Sequence, residues 1–166
     1  MASVAATSPE ADDVSTAFRS AMRRLASAVA IVTAEGPDGP TGMAATSITS
    51  LTMDPPAILV CVNRSASLHS CLTEGASFSV SLLAKNQKDV SAAFGGAVPR
   101  NARFTVGEWT ADSNNLPVLE HAQANLSCSA EVLIPYGTHT VVIGRVNAVR
   151  LSGDVDPLIY QDGNYL

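Results

Sequence analysis

Charge is scarce in this chain of 166 residues: Asp, Glu, Lys and Arg together make up 15% of it, against the ~25% typical of soluble domains. Ten basic residues stand against fifteen acidic ones, for a net charge of −5. The clustered basic footprint of a nucleic-acid or anionic-membrane binder is therefore missing. Only Arg19, Arg23 and Arg24 cluster, and the expectation there is a solvated helix face. Cysteine is scarce too. Cys61, Cys71 and Cys128 are odd in number, widely spaced and without a CxxC pair, which excludes a disulfide framework and a zinc signature. A reduced, cytoplasmic protein fits, with all three read as core thiols. No apolar run approaches the ~20 residues of a membrane span, and MASVAATSPEADDV lacks the n- and h-regions of a secretory signal. Also absent are GxGxxG after a strand, GxxxxGK[ST], HExxH and GxSxG. Those absences weigh against a Rossmann enzyme, a P-loop ATPase, a zincin and an α/β-hydrolase. His69, His121 and His139 lie far apart without ligand spacing, so no metal site is expected.

What is present is apolar: 46% of the residues. A chain of this length reads as one domain that buries roughly 70% of its unfolded surface, needing no disulfide or metal to fold. High apolar content with little charge suggests that some surface is covered in an oligomer, most simply a homodimer. Residues 1–12, small, polar and acidic, read as a flexible tail, and 13–166 as the domain. Val14, Phe18, Met22 and Leu25 recur at helical spacing, which predicts a helix from Asp12 or Asp13 to about Ser27 lying against the domain.

From Ala28 onward the pattern is of strands. AVAIVTAE and the GPDGP turn predict a hairpin, with TGMAATSITSLT as its single return strand and MDPP as its stop. AILVCVN is a continuous apolar run, predicted to be buried on both faces. SASLHSCLTEG reads as a short helix with Ser67 as N-cap and Gly75 as stop. FSVSLLA is a half-buried strand, KNQKDVSAAFGG a helix, and FTVGEW a possible strand. QANLSCSAEVLI and HTVVIGRVNAVRLSG flank a turn at 135–138 as a long hairpin, and PLIYQDGNYL closes the chain with a turn at Asp162 and Gly163. Six or seven strands without βαβ alternation predict a mostly β fold: an antiparallel barrel of Greek-key type with a few peripheral helices.

The chemically informative stretch runs GMAATSITSLTMDPP. Read alone, it is either a Thr-rich edge strand or a wall of small residues that lets a flat ring approach the backbone. The NRSAS loop after AILVCVN, with its hydroxyls and Arg64, suits a phosphate. His139, at the start of a hairpin strand, could simply satisfy a carbonyl. Trp109 and Phe104 read as core.

GMAATSITSLTMDPPAILVCVNRSAS resembles the signature of the short-chain flavin reductases, the reductase components of two-component flavin-dependent monooxygenases. The usual form in that family is roughly G-M-T-A-S-S-F-x-S-V-S-x-x-P-P, an apolar strand, then N-x-x-S-x-[ST]. FRSAMRRLASAVAIVTAE, FSVSLLAKNQKDVSAAFGG, the strands around His139 and the closing PLIYQDGNY are similar to the family as well, so the resemblance spans about residues 14–166.

The resemblance implies a split β-barrel that binds FAD or FMN, usually as a homodimer. It implies that NADH or NADPH reduces the flavin, which then leaves for a separate monooxygenase. Matched by position, Met43, Ala44, Ala45, Thr46 and Ser47 would line the isoalloxazine. Cys61, Val62, Asn63, Arg64, Ser65 and Ser67 would hold the ribityl and phosphate part. Ala84, Lys85, Gln87 and Phe94 would flank the rest of the cofactor. His139 matches a nicotinamide-contacting histidine, and Tyr160, Gln161, Asp162 and Gly163 match the nicotinamide-side tail. Two positions depart from the family: Thr138 stands where an aspartate is usual, and Ala44 where a hydroxyl is usual. Two other functions share these motifs, a split-barrel flavoprotein that keeps its flavin and acts on an organic substrate, and a non-catalytic flavin carrier.

Overall fold

The computed structural model describes residues 9–166, with side chains from Asp13 onward. Helix α1 spans Pro9–Met22, so the helix takes in residues 9–12, which composition reads as tail. Its predicted apolar face is real but does not lie against the domain. Val14, Phe18 and Met22 are 69%, 62% and 49% exposed, and Leu25 beyond them 63%.

Twelve strands follow among the described residues: β1 Ser27–Ala28, β2 Ala30–Gly36, β3 Gly39–Ala45, β4 Ile48–Met53, β5 Pro56–Asn63, β6 Ser77–Leu82, β7 Trp109–Ala111, β8 Pro117–Leu119, β9 Ala124–Tyr136, β10 His139–Leu151, β11 Ile159–Gln161 and β12 Asn164–Tyr165. Seven of them form one antiparallel sheet in the order β3-β2-β6-β9-β10-β5-β4. The predicted return strand is here two strands, β3 and β4, which occupy opposite edges of that sheet. Only Thr46 and Ser47 separate them, and three Cα steps reach at most about 11 Å. Laid flat, the two edges of a seven-stranded sheet would stand about 29 Å apart. The sheet must therefore curl until its edges meet at the Thr46 and Ser47 corner, which makes a split barrel.

The barrel interior is filled by Val32, Val60, Val62, Leu68, Phe78, Val80, Cys128 and Val142. Gly144 sits where a Cβ would collide with the Phe78 ring. A second core, with Ile31, Leu83, Val90, Phe94, Leu119 and Leu158, lies on the outer face of β2. That strand is thus buried on both sides, and its Thr33 hydroxyl, on the outer face, meets the Ser79 hydroxyl of β6 at 2.5 Å; the two lie 2.7 and 3.0 Å from the Pro117 carbonyl, so one donates to the carbonyl and the other to its neighbour. In β5, by contrast, one face is buried while Leu59, Cys61 and Asn63 are only half-buried.

Helix α2, Lys88–Ala92, runs on as a π turn through Ala97, with Gly96 at φ 114° closing it. The FTVGEW stretch is no single strand: a 3-10 helix, Arg100–Thr105, precedes β7, and Gly107 at φ 86° divides them. There the Trp109 Nε1–H donates to the Val106 carbonyl at 2.9 Å, and its ring joins Phe94 and Phe104 at 5.0–5.2 Å. The stretch after β5 is a single 3-10 turn, Ser67–Cys71, capped at Ala66 rather than Ser67. No described helix is long and apolar enough to cross a membrane.

Candidate functional site

The site is built at the corner where the barrel edges meet. Along β3 the side chains alternate: Met43 packs toward the barrel interior and Ala44 toward the outer core. Gly42 is held from behind, because a Cβ there would lie 2.8 Å from the Phe94 ring, and Arg103 donates to its carbonyl at 2.9 Å. Past Ala45 the chain leaves the ladder. Thr46 and Ser47 are exposed, and their backbone N–H groups have no acceptor among the described residues. Ser47 is tied to β5 instead: its hydroxyl donates to the Cys61 carbonyl at 3.2 Å, and the Cys61 N–H donates to the Ser47 carbonyl at 3.1 Å.

From Cys61 the chain runs directly into the polar loop. Val62 is fully buried in the barrel core and can offer a ligand only its backbone. The Asn63 Oδ1 accepts from the Ser65 N–H at 2.9 Å and the Ser65 hydroxyl at 2.8 Å, an Asx turn that folds the loop back on itself. The Arg64 N–H donates to the Thr138 carbonyl at 2.9 Å, while its side chain is exposed. Ser67 shares a hydrogen bond with Thr41 at 3.0 Å. His139 lies directly opposite Asn63 in the β5–β10 register. Thr138, at the position where the family has aspartate, still reaches the imidazole, its Oγ1 2.9 Å from Nδ1. His139 is exposed at the hairpin tip and lines none of the clefts described below.

Two adjoining clefts open beside the corner. One, of about 390 Å³, has a floor of small residues, Ala44, Ala45, Thr46, Ala92, Gly95 and Ala97, with Tyr160 and Tyr165 at its side. The other, of about 520 Å³, lies between Thr46 and Ser47 on one side and α1 with the C-terminal hairpin on the other. Asp162 and Gly163, at φ 50° and 83°, make the two-residue turn whose mirror-image backbone suits a twisted hairpin. That turn pairs Tyr160 with Tyr165, whose rings meet edge-on at 5.3 Å. The Tyr165 hydroxyl is fixed by Ser91 at 2.9 Å. Sequence reasoning missed Arg19, Met22, Arg23, Leu25, Ser91 and Tyr165 as cleft residues. The triple-arginine cluster was the available signal for the first group, and the hairpin register for Tyr165.

The remaining expected residues do not converge here. Ala84 bridges Pro157, and the Lys85 N–H donates to the Asp156 carbonyl at 2.9 Å. Gln87 spans the Ala84 N–H and the Glu120 carbonyl, at 2.9 and 2.8 Å. Ala84 and Lys85 face a separate hollow with His121, Asp154 and Asp156. Phe94 is 3% exposed and backs β3 rather than lining the floor. Among the described residues two groups have displaced pKa values, both outside the corner. A hydrogen bond from Thr110 holds the Glu120 carboxyl below its ordinary range. Burial, with Asp112 nearby, pushes the Cys128 thiol up to about 12.

A barrel split at one corner, with a small-residue cleft beside it, defines the class. The chain belongs to the family described as the flavin reductase like domain, whose model matches residues 22–166. It is 38% identical over 157 residues to "FMN reductase (NADH) RutF" of Variovorax paradoxus, covering 95% of this chain and 84% of that protein. It is 39% identical over 150 residues to the reductase component of the FADH(2)-dependent resorcinol hydroxylase of a Rhizobium species, covering 89% and 84%. Among solved structures, the NADH:FAD oxidoreductase SgcE6 of Streptomyces globisporus, in complex with NAD and FAD fragments, superposes with a TM-score of 0.84 at 27% identity. That match covers 98% of this chain and 96% of the other.

Proposed function

We propose that this protein is an NADH-dependent flavin reductase that releases reduced FAD or FMN to a separate monooxygenase. The observation that carries the reading is the corner itself: a floor of Ala44, Ala45, Thr46, Gly95 and Ala97 beside two free backbone N–H groups. Such a floor fits a flat heteroaromatic ring, because small side chains let its face approach the backbone while N–H and hydroxyl groups meet its carbonyls and nitrogens. Bound flavin supplies the electron sink for a hydride from the nicotinamide. The chain's own task is binding and alignment, so the corner needs no acid–base pair. Thr46 and Ser47 present donors at the ring edge. Ser65 and Arg64, shaped by Asn63, present hydroxyl and guanidinium groups to a phosphate. Tyr160 walls the cleft against water, and His139 offers its second nitrogen to the nicotinamide nucleotide. No covalent tether is part of this arrangement, so the flavin can leave as a diffusible product.

The relatives' names pair NADH with FMN in one case and FAD in another, so both flavins are expected substrates. The exposed apolar face of α1 supports a homodimer, which would cover Phe18 and its neighbours. The three free cysteines suit a reducing compartment, the cytoplasm. NADH oxidation in the presence of excess free FAD or FMN is the test. Turnover that rises with added flavin is expected. Turnover only with an organic substrate, at a flavin that stays bound, would instead make this an oxidase or reductase that keeps its cofactor. Flavin binding without any turnover would make it a carrier.

A further inference from the structure

We propose that Arg23 keeps the cleft between α1 and the C-terminal hairpin attractive to a polyanion by neutralising Asp162, a carboxylate that turn chemistry places on its wall. The inference rests on the reductase reading above and adds to it that this cleft admits the nicotinamide dinucleotide. A two-residue turn with both φ values positive tolerates little besides Gly, Asn or Asp at its first position. This chain uses Asp162, at φ 50°, and so puts a negative charge beside a cleft meant for two phosphates. Arg23 answers it directly. Its Nε donates to the Asp162 Oδ1 at 2.9 Å and its terminal nitrogen to the Asp162 carbonyl at 3.3 Å. The Asp162 N–H donates back to the Arg23 carbonyl at 3.0 Å, which fixes the two residues in register. Arg19, one helical turn earlier, lines the same cleft and has no ion-pair partner among the described residues. With Arg23 in place the wall is net positive in a chain whose net charge is −5.

Stability does not account for the pair. The two side chains are 57% and 72% exposed, and ion pairs that open to water contribute almost nothing to folding. A charge facing a charged ligand is another matter: one unit charge at 4 Å acts with about 1 kcal/mol even in bulk water, which corresponds to about fivefold in affinity. Arg23 is thus a positioning residue for charge. It acts on the dinucleotide through Asp162.

The test compares wild type, Arg23→Ala, Arg23→Lys and the double variant Arg23→Ala/Asp162→Asn. Asn is chosen because it keeps the left-handed turn. At low ionic strength Arg23→Ala is expected to raise the KM for NADH about fivefold, with kcat, flavin affinity and melting temperature close to wild type. The defect should shrink in high salt, where the screening length falls to about 3 Å. The double variant and Arg23→Lys should both recover most of the wild-type KM. Equal KM values for the single and double variants, or a defect indifferent to salt, would overturn the charge role. A loss in flavin affinity rather than in KM would overturn it as well. Calorimetric titration with NAD+ reads the same order of affinities without turnover. An ordered series from a wild type that oxidises no NADH would sink the reductase reading and keep the charge role. No ordering from an active wild type would do the reverse.

Discussion

At the scale of single residues, His139 and Cys128 carry opposite kinds of chemistry. His139 is exposed, and Thr138 holds its Nδ1, so the ring is oriented while its other nitrogen faces outward. His139→Ala is expected to raise the KM for NADH and slow turnover, with flavin affinity unchanged. A loss of about 1 kcal/mol in stability, read by thermal melting, with intact kinetics would make it a hairpin residue only. Cys128 is fully buried and its thiol is pushed up to about 12. In the unfolded chain it ionises near 8.5, so above that pH the unfolded state loses a proton that the folded state keeps. Stability from this group is complete below about pH 8.5 and drains away as pH rises toward 12. Denaturant midpoints measured from pH 8 to 11 should fall, and Cys128→Ala should flatten the decline. Native Cys128 should also resist thiol reagents that reach the half-buried Cys61 and Cys71. Gly144 is a third sensitive point. Gly144→Ala forces the Phe78 ring to move, with an expected loss of 1–3 kcal/mol on the order typical of overpacked cores, read by thermal melting.

Among the elements, the break between β3 and β4 matters most. TGMAATSITSLT reads as one strand because nothing in its composition interrupts it: no Gly or Pro stands at Thr46 or Ser47. The break is made by closure, since the two halves pair with β2 and β5 on opposite edges. Thr46 therefore belongs to no ladder, and Thr46→Phe should leave the far-UV dichroism unchanged. It should weaken flavin binding at least ~10-fold, or 1.4 kcal/mol, because the bulky ring fills the small-residue floor. Unchanged affinity would make the corner merely structural. Ser67 shows the same limit in miniature. A cap reading from local sequence put its hydroxyl on the helix backbone, whereas Thr41 on β3 takes it at 3.0 Å.

For the whole molecule, the exposed face of Val14, Phe18, Met22 and Leu25 predicts a homodimer. The helical spacing is legible in the sequence, but within the single chain this face finds no surface to pack on. Light scattering at micromolar concentration is expected to show a dimer, and Phe18→Asp a monomer with an intact far-UV spectrum. A wild-type monomer would end this reading.

Local pattern alone determined most of the long strands, where the β2–β3, β9–β10 and β11–β12 hairpins turn, and that small hydroxyl residues gather near position 46; it did not show the break between β3 and β4 or the short β8. Those properties depend on neighbours a few residues away: alternation, β-branching, and the Asp-Gly and Tyr-Gly turns. What only the tertiary structure decided is which of them meet. Arg23 reaches Asp162 across 139 positions of chain, and Arg103 reaches the Gly42 carbonyl across 61. Ala84 and Lys85 turn to a different hollow, Gln87 ties the Ala84 N–H to the Glu120 carbonyl, and Phe94 serves the core instead of the floor. Long-range meetings of this kind follow from sheet order and curvature, which no window of sequence contains, since burying the apolar faces of seven strands at once is a property of the whole sheet.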